Sequence, residues 1–166
     1  MTGWYMHETN PDFMEVCRIA IELAYEHSPR QGIAFMPYDC WGAIYSKGNY
    51  TKRHEHWPQV WSWVYNVECC EDCSPLVFDD VYIAHKHTSP KLRRTSHKHS
   101  IRPKSGNMIL FPGWIRHSVP EHQCDHDRII LAGNLGVNPW QVILGMEKSN
   151  GSAISEEFKN MAEWLY

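Results

Sequence analysis

No stretch of this 166-residue chain approaches the roughly 20 consecutive apolar residues that a membrane-spanning helix needs, so no membrane partner is expected. The N-terminal MTGWYMHETNPDF lacks a basic region followed by an apolar one, the pattern of a secretory signal, which makes the cytoplasm the expected compartment. Its six cysteines are then expected to stay reduced. The sequence shows no internal repeat and no low-complexity tract beyond one basic stretch. Acidic residues are missing from one long segment, HKHTSPKLRRTSHKHSIRPK, which runs from His85 to Lys104 with seven Lys or Arg and four His. The rest of the chain holds nine basic residues against nineteen acidic ones, although net charge is only -3. A cationic element on an acidic body is either a solvated loop kept soluble by charge or a capture surface for an anionic substrate or partner, nucleic acid included.

What is present is ample material for one packed core. Hydrophobic residues make up 43% and aromatic residues 13% of the chain, with eight Trp, which argues against disorder. The length suits a single domain over residues 1–166. A helix is expected over about 11–27, since Asn10 can cap, Pro11 fits the first turn, and Phe13, Val16, Cys17, Ala20, Leu23 and Ala24 recur at helical spacing. Ser28, Pro29, Gln31 and Gly32 end it. Within a core of about 33–145, short aromatic and β-branched runs from Cys40 onward read as strands of an all-β fold: WGAIY, VWSWVYNV, LVFDDVYIA, NMILF, WIRHSV and RIILAGN. A second helix is expected over about 155–165, capped by Ser155, with Glu156 and Glu157 in its first turn and Phe158, Met161, Ala162 and Leu165 on one face.

Eleven histidines are many, and most, such as His7, His27, His122 and His126, read as surface residues. His54 and His56 differ because residues at i and i+2 of a strand share a face and can hold one metal ion. His117, 61 residues beyond His56, can complete the set. Both groups sit in similar frames. Gly48 precedes the first, and Gly106 with Pro112 precedes the second, as turn-makers between paired strands.

These frames resemble the iron(II)- and 2-oxoglutarate-dependent oxygenases, and in particular a branch found in bacteria and phages. HEHWPQVWSWVYNV is similar to that branch's HxHP segment and the SGVYY that follows it. GNMILFPGWIRHSVP followed by RIILAGN is similar to its second histidine segment and the RIS-containing strand after it. The likeness spans roughly Trp41 to Asn134. It implies a mostly β double-stranded β-helix (a cupin-like jelly roll) with flanking N- and C-terminal helices. It also implies an enzyme, most plausibly a hydroxylase, that uses Fe(II), 2-oxoglutarate and dioxygen on an unknown primary substrate and releases succinate and carbon dioxide. His54 and His117 fall at the family's histidine ligands, and Arg128 at the cation that binds the distal carboxylate of 2-oxoglutarate. Tyr45 is a candidate phenol donor to it. Asn66, where many members have a tyrosine, shares a face with Ser62 and Val64 and is a candidate pocket residue. Trp61, Trp63 and Tyr65 then face outward under a helix.

The chain departs from the family pattern at several places. His56 stands where the best-known members carry a carboxylate, Trp57 where the branch has proline, and Ile130 where a serine commonly follows the arginine. His56 is therefore the third ligand of a three-histidine site, or a neighbour of the metal while another acid serves, or the mark of a degenerate site. Glu55 is a poor substitute, because a strand turns it to the opposite face. Two other readings compete: a cupin-type three-histidine metalloenzyme that does not use 2-oxoglutarate, and a non-catalytic jelly roll that binds a polyanion through residues 85–104. Cys70 and Cys73 form one CxxC, and Cys124 lies between His122 and His126. A single CxxC is weak evidence for zinc, and both segments read as ordinary turns. Paired histidines at His85/His87 and His97/His99 lie among lysines that repel a cation.

Overall fold

The computed structural model describes residues 1–28, 34–80 and 98–137. Two helices, α1 (Met6–Thr9) and α2 (Pro11–His27), precede eight strands: β1 (Phe35–Tyr45), β2 (Thr51–His54), β3 (Trp61–Glu68), β4 (Leu76–Asp79), β5 (Lys98–Ile101), β6 (Met108–Pro112), β7 (His117–Val119) and β8 (Arg128–Val137). The strands form two four-stranded sheets, ordered β1-β8-β3-β6 and β2-β7-β4-β5, with every strand pair antiparallel. This is a jelly roll, the fold class that the family resemblance implies.

Alternation along the strands assigns the two faces of the first sheet. On β3, Ser62, Val64 and Asn66 point between the sheets, whereas Trp61, Trp63 and Tyr65 pack under α2 against Cys17, Ala20 and Ala24. The inter-sheet core is built from Val64, Leu76, Phe78, Phe111, Val119, Ile130 and Ala132. Each Val, Leu, Ile or Phe among them contributes about 1.5–3 kcal/mol by leaving water. The Asn10 side chain caps α2 by accepting from the Asp12 amide at 2.9 Å. Turns before β2 and β6 use Gly48 (φ 88°) and Gly106 (φ 82°), where a side chain would strain the backbone.

Several expected elements differ in extent. The first strand starts at Phe35 rather than near Cys40. WIRHSV is a strand only over His117–Val119, because the Ile115 amide donates to the Pro112 carbonyl at 3.0 Å and closes a turn ahead of it. Of LVFDDVYIA, Leu76–Asp79 is strand, and the rest from residue 81 lies outside the described residues. The expected C-terminal helix and most of the basic segment, residues 85–97, also lie outside them. Among the described residues, no helix is long and apolar enough to cross a membrane.

Candidate metal centre

β2 ends on His54 and β7 begins on His117, and the two residues are direct cross-strand partners. Opposed residues in such a ladder carry neighbouring side chains, and the two imidazole centroids lie 4.3 Å apart. His56 reaches them differently from the strand argument. It lies beyond the end of β2, where its amide donates to the Gly113 carbonyl at 2.7 Å, so a turn contact and not a shared strand face brings it in. Its ring is 4.8 Å from that of His54 and 5.1 Å from that of His117. One ligand nitrogen from each of the three falls within 4.8 Å of the others.

Two of the rings have their tautomers fixed by backbone. His54 Nδ1 lies 2.8 Å from the Lys52 carbonyl and His117 Nδ1 2.9 Å from the Ile115 carbonyl. Since a carbonyl only accepts, each Nδ1 carries the proton and each Nε2 keeps its lone pair for a metal. Burial holds the His56 and His117 pKa values down to about 4, with the neighbouring His54 ring adding to the effect, so both rings are neutral at pH 7. Phe111 and Phe78 wall His117 at 4.8 and 6.1 Å. Glu55 points away and pairs with Arg116 at 3.1 Å. Three imidazoles on one side of a cavity fit a divalent first-row ion that keeps further positions open.

His56 is steadied by residues that the sequence reading did not single out. Its Nδ1 lies 3.4 Å from Asn134 Nδ2, which also donates to Asp39 at 2.7 Å, while Asn134 Oδ1 accepts from the Ser62 hydroxyl at 2.7 Å. Desolvation raises the Asp39 pKa. The available signal was a polar residue at an inward position of an otherwise apolar strand.

The cavity beside the triad has a volume of about 340 Å³, and its lining includes Tyr45, Thr51, Leu76, Arg128 and Ile130 with the three histidines. Arg128 opens β8 opposite Tyr45, is only 1% exposed, and has its guanidinium 5.7 Å from the Tyr45 ring. It donates to Asn66 Oδ1 from Nε (3.3 Å) and Nη2 (3.0 Å), and to the Ser74 carbonyl from Nη1 (2.7 Å). Burial pulls its pKa below the usual arginine value. Among the described residues no carboxylate pairs with it, and Asp125, three residues before it, pairs with Lys47 at 2.7 Å. A buried cation held only by neutral groups, with N–H donors to spare, favours an anionic ligand. Asn66 is fully buried behind Arg128 and orients it without lining the cavity, and Tyr45 donates to or accepts from Thr51.

Two histidines read as surface residues are core. His7 is 9% exposed, and His122 is fully buried between the Ser74 amide (3.3 Å to Nδ1) and the His126 carbonyl (2.8 Å from Nε2). His27 and His126 are exposed.

Gly113 shapes the site through close approach. A Cβ there would meet the Gln59 carbonyl oxygen at 2.2 Å, and the same residue's carbonyl holds His56. Gly113→Ala is therefore expected to cost about 1–3 kcal/mol of stability and to weaken metal retention, measurable as a lowered thermal midpoint and lowered iron content.

Jelly-roll fold, triad and buried guanidinium together define the class of a jelly roll with a candidate metal centre beside a buried cation. The profile of the family described as "Putative 2OG-Fe(II) oxygenase" matches residues 39–134, more than half of the chain. The chain belongs to that family, whose cofactor and cosubstrate are iron(II) and 2-oxoglutarate. A search of curated proteins finds no match. Among solved structures, an oxidoreductase of the 2OG-Fe(II) oxygenase family from Burkholderia pseudomallei is similar at 12% identity and TM-score 0.55, over 70% of this chain and 50% of that one. HygX from Streptomyces hygroscopicus with iron bound is similar at 11% identity and TM-score 0.55, over 80% of this chain and 70% of HygX. SnoN, a non-heme α-ketoglutarate-dependent epimerase from nogalamycin biosynthesis, is similar at 11% identity and TM-score 0.53, over 84% and 65% of the two chains. These likenesses speak to the fold. The chain spans half the length of the Burkholderia structure.

Proposed function

We propose that this chain is an iron(II)- and 2-oxoglutarate-dependent dioxygenase acting as a hydroxylase, with His54, His56 and His117 as metal ligands. Arg128 would bind the distal carboxylate of the cosubstrate, with Tyr45 as a polar neighbour and Asn66 as its positioning residue. The observation that carries the reading is Arg128: a buried guanidinium with no carboxylate partner among the described residues, in the same cavity as three imidazoles. The alternative of a three-histidine cupin without a cosubstrate predicts no dependence on 2-oxoglutarate and assigns Arg128 no role. When bound, iron(II) and 2-oxoglutarate supply the activation of dioxygen, and the cosubstrate leaves as succinate and carbon dioxide. The protein's own part is to present Nε2 lone pairs, to neutralise the cosubstrate carboxylate, and to keep water from the reacting centre with Leu76, Phe111, Val119 and Ile130. The primary substrate is proposed to be anionic, on the strength of the acid-free basic segment from His85 to Lys104. All six cysteines are unpaired, which suits a reducing cytoplasm.

Consumption of the cosubstrate without a primary substrate gives a test that needs no substrate identity. Aerobic protein with Fe(II) and 2-oxoglutarate is expected to form succinate above the protein-free rate, and omission of either additive is expected to stop it. No succinate above background would count against the proposal.

A further inference from the structure

We propose that Cys70, Cys73 and Cys124 form a second metal site, for a single soft divalent ion of the zinc type, separate from the histidine centre. The inference does not rest on the oxygenase reading. The CxxC lies in the loop between β3 and β4, and Cys124 in the loop between β7 and β8; both segments are turns, as expected, and the two loops meet. Cys70 Sγ is 3.5 Å from Cys73 Sγ and 3.3 Å from Cys124 Sγ, and all three sulfurs lie within 4.8 Å of one another. None of them is in a disulfide. Zinc with Zn–S bonds of about 2.3 Å in a tetrahedron sets its sulfurs roughly 3.8 Å apart, so the three are already spaced close to a ligand set.

Backbone amides are aimed at the sulfurs as they would be at thiolates. The Cys70 amide donates to Cys73 Sγ at 3.3 Å, and the His126 amide donates to Cys124 Sγ at 3.3 Å. Hydrogen bonds to a charged sulfur favour that form. Three thiolates at this separation repel unless a cation lies between them. The fourth position is left to solvent, since the half-exposed ring of His126 faces Glu68, with Nε2 3.4 Å from its carboxylate.

The position gives the site a structural role. Ser74 follows Cys73 directly; its carbonyl accepts from Arg128, and its hydroxyl donates to the Glu121 carbonyl at 3.2 Å. An ion on the three sulfurs would clamp the β3–β4 loop to the β7–β8 loop and so fix the carbonyl that holds Arg128. This is the task of a structural zinc whose ligands come from loops far apart in sequence.

Cobalt(II) titration of the reduced, metal-free full chain under anaerobic conditions reads sulfur ligation directly, because histidine sites give no near-ultraviolet thiolate-to-cobalt band. That band is expected to rise to one equivalent, to persist in His117→Ala, to vanish in Cys124→Ser, and to be bleached by added zinc. No such band in the wild type, or a band unchanged in Cys124→Ser, overturns the proposal. Should Cys124→Ser not fold, wild-type alkylation decides: zinc(II) is expected to protect Cys70, Cys73 and Cys124 but not Cys69, and equal labelling with and without zinc overturns it.

Discussion

Iron(II) retention is expected to fall at least about 100-fold in His117→Ala, and succinate formation from 2-oxoglutarate with it, since even removal of a residue that merely supports a ligand costs about 10–100-fold. His117 occupies the most protected position of the triad, 5% exposed between Phe78 and Phe111, with its Nδ1 proton committed to the Ile115 carbonyl. No other described carboxylate, thiol or imidazole joins the three-histidine group. Alanine also removes packing, so a folding defect must be separated from a ligand defect. His117→Gln keeps most of the volume and supplies a much weaker donor, and it is expected to stay folded by circular dichroism while losing iron. A His117→Gln protein that retains iron and forms succinate at the wild-type rate would remove His117 from the site.

Arg128→Ala is expected to raise the 2-oxoglutarate concentration for half-maximal succinate formation by about 30-fold or more, because leaving a buried charge without its partner costs at least about 2 kcal/mol. Iron retention should be unchanged, which distinguishes this residue from the histidines. The truncation also strands Asn66 Oδ1 and the Ser74 carbonyl, each a cost of about 1–3 kcal/mol when buried and unsatisfied. Arg128→Lys addresses that difficulty. It keeps the charge but cannot reach both acceptors and a carboxylate with one ammonium, so the cosubstrate requirement is expected to rise less than in Arg128→Ala, with a smaller loss of thermal midpoint. Unchanged cosubstrate dependence in both variants would leave Arg128 as a structural residue only.

How much of this was legible in the sequence depends on the range of the contact. Period-two alternation on β3 correctly sent Trp61, Trp63 and Tyr65 under α2 and Ser62, Val64 and Asn66 inward, because that pattern is local. The pairing of His54 with His117 was carried by the likeness of two frames to a known family. His56 was placed with the right neighbours by an incomplete reason: β2 stops at His54, and the Gly113 carbonyl, far along the chain, fixes the rest. Asn66 faced the expected way yet serves Arg128 rather than the cavity, since the arginine fills the space in front of it. His122, Asn134 and the meeting of Cys70 with Cys124 depend on loops closing at one end of the jelly roll, and no periodicity encodes such closure. Polar residues in loops look alike in sequence whether they end in water or in the core.

The most direct measurement is the visible spectrum of the wild-type protein with Fe(II), free of oxygen, as 2-oxoglutarate is added. Chelation of the cosubstrate to protein-bound iron gives a weak charge-transfer absorption, expected to grow to one equivalent of each and to be absent from His117→Ala. A wild-type protein that retains no iron, or that retains iron and develops no absorption at any 2-oxoglutarate concentration, would contradict the central claim that His54, His56, His117 and Arg128 form one oxygenase centre.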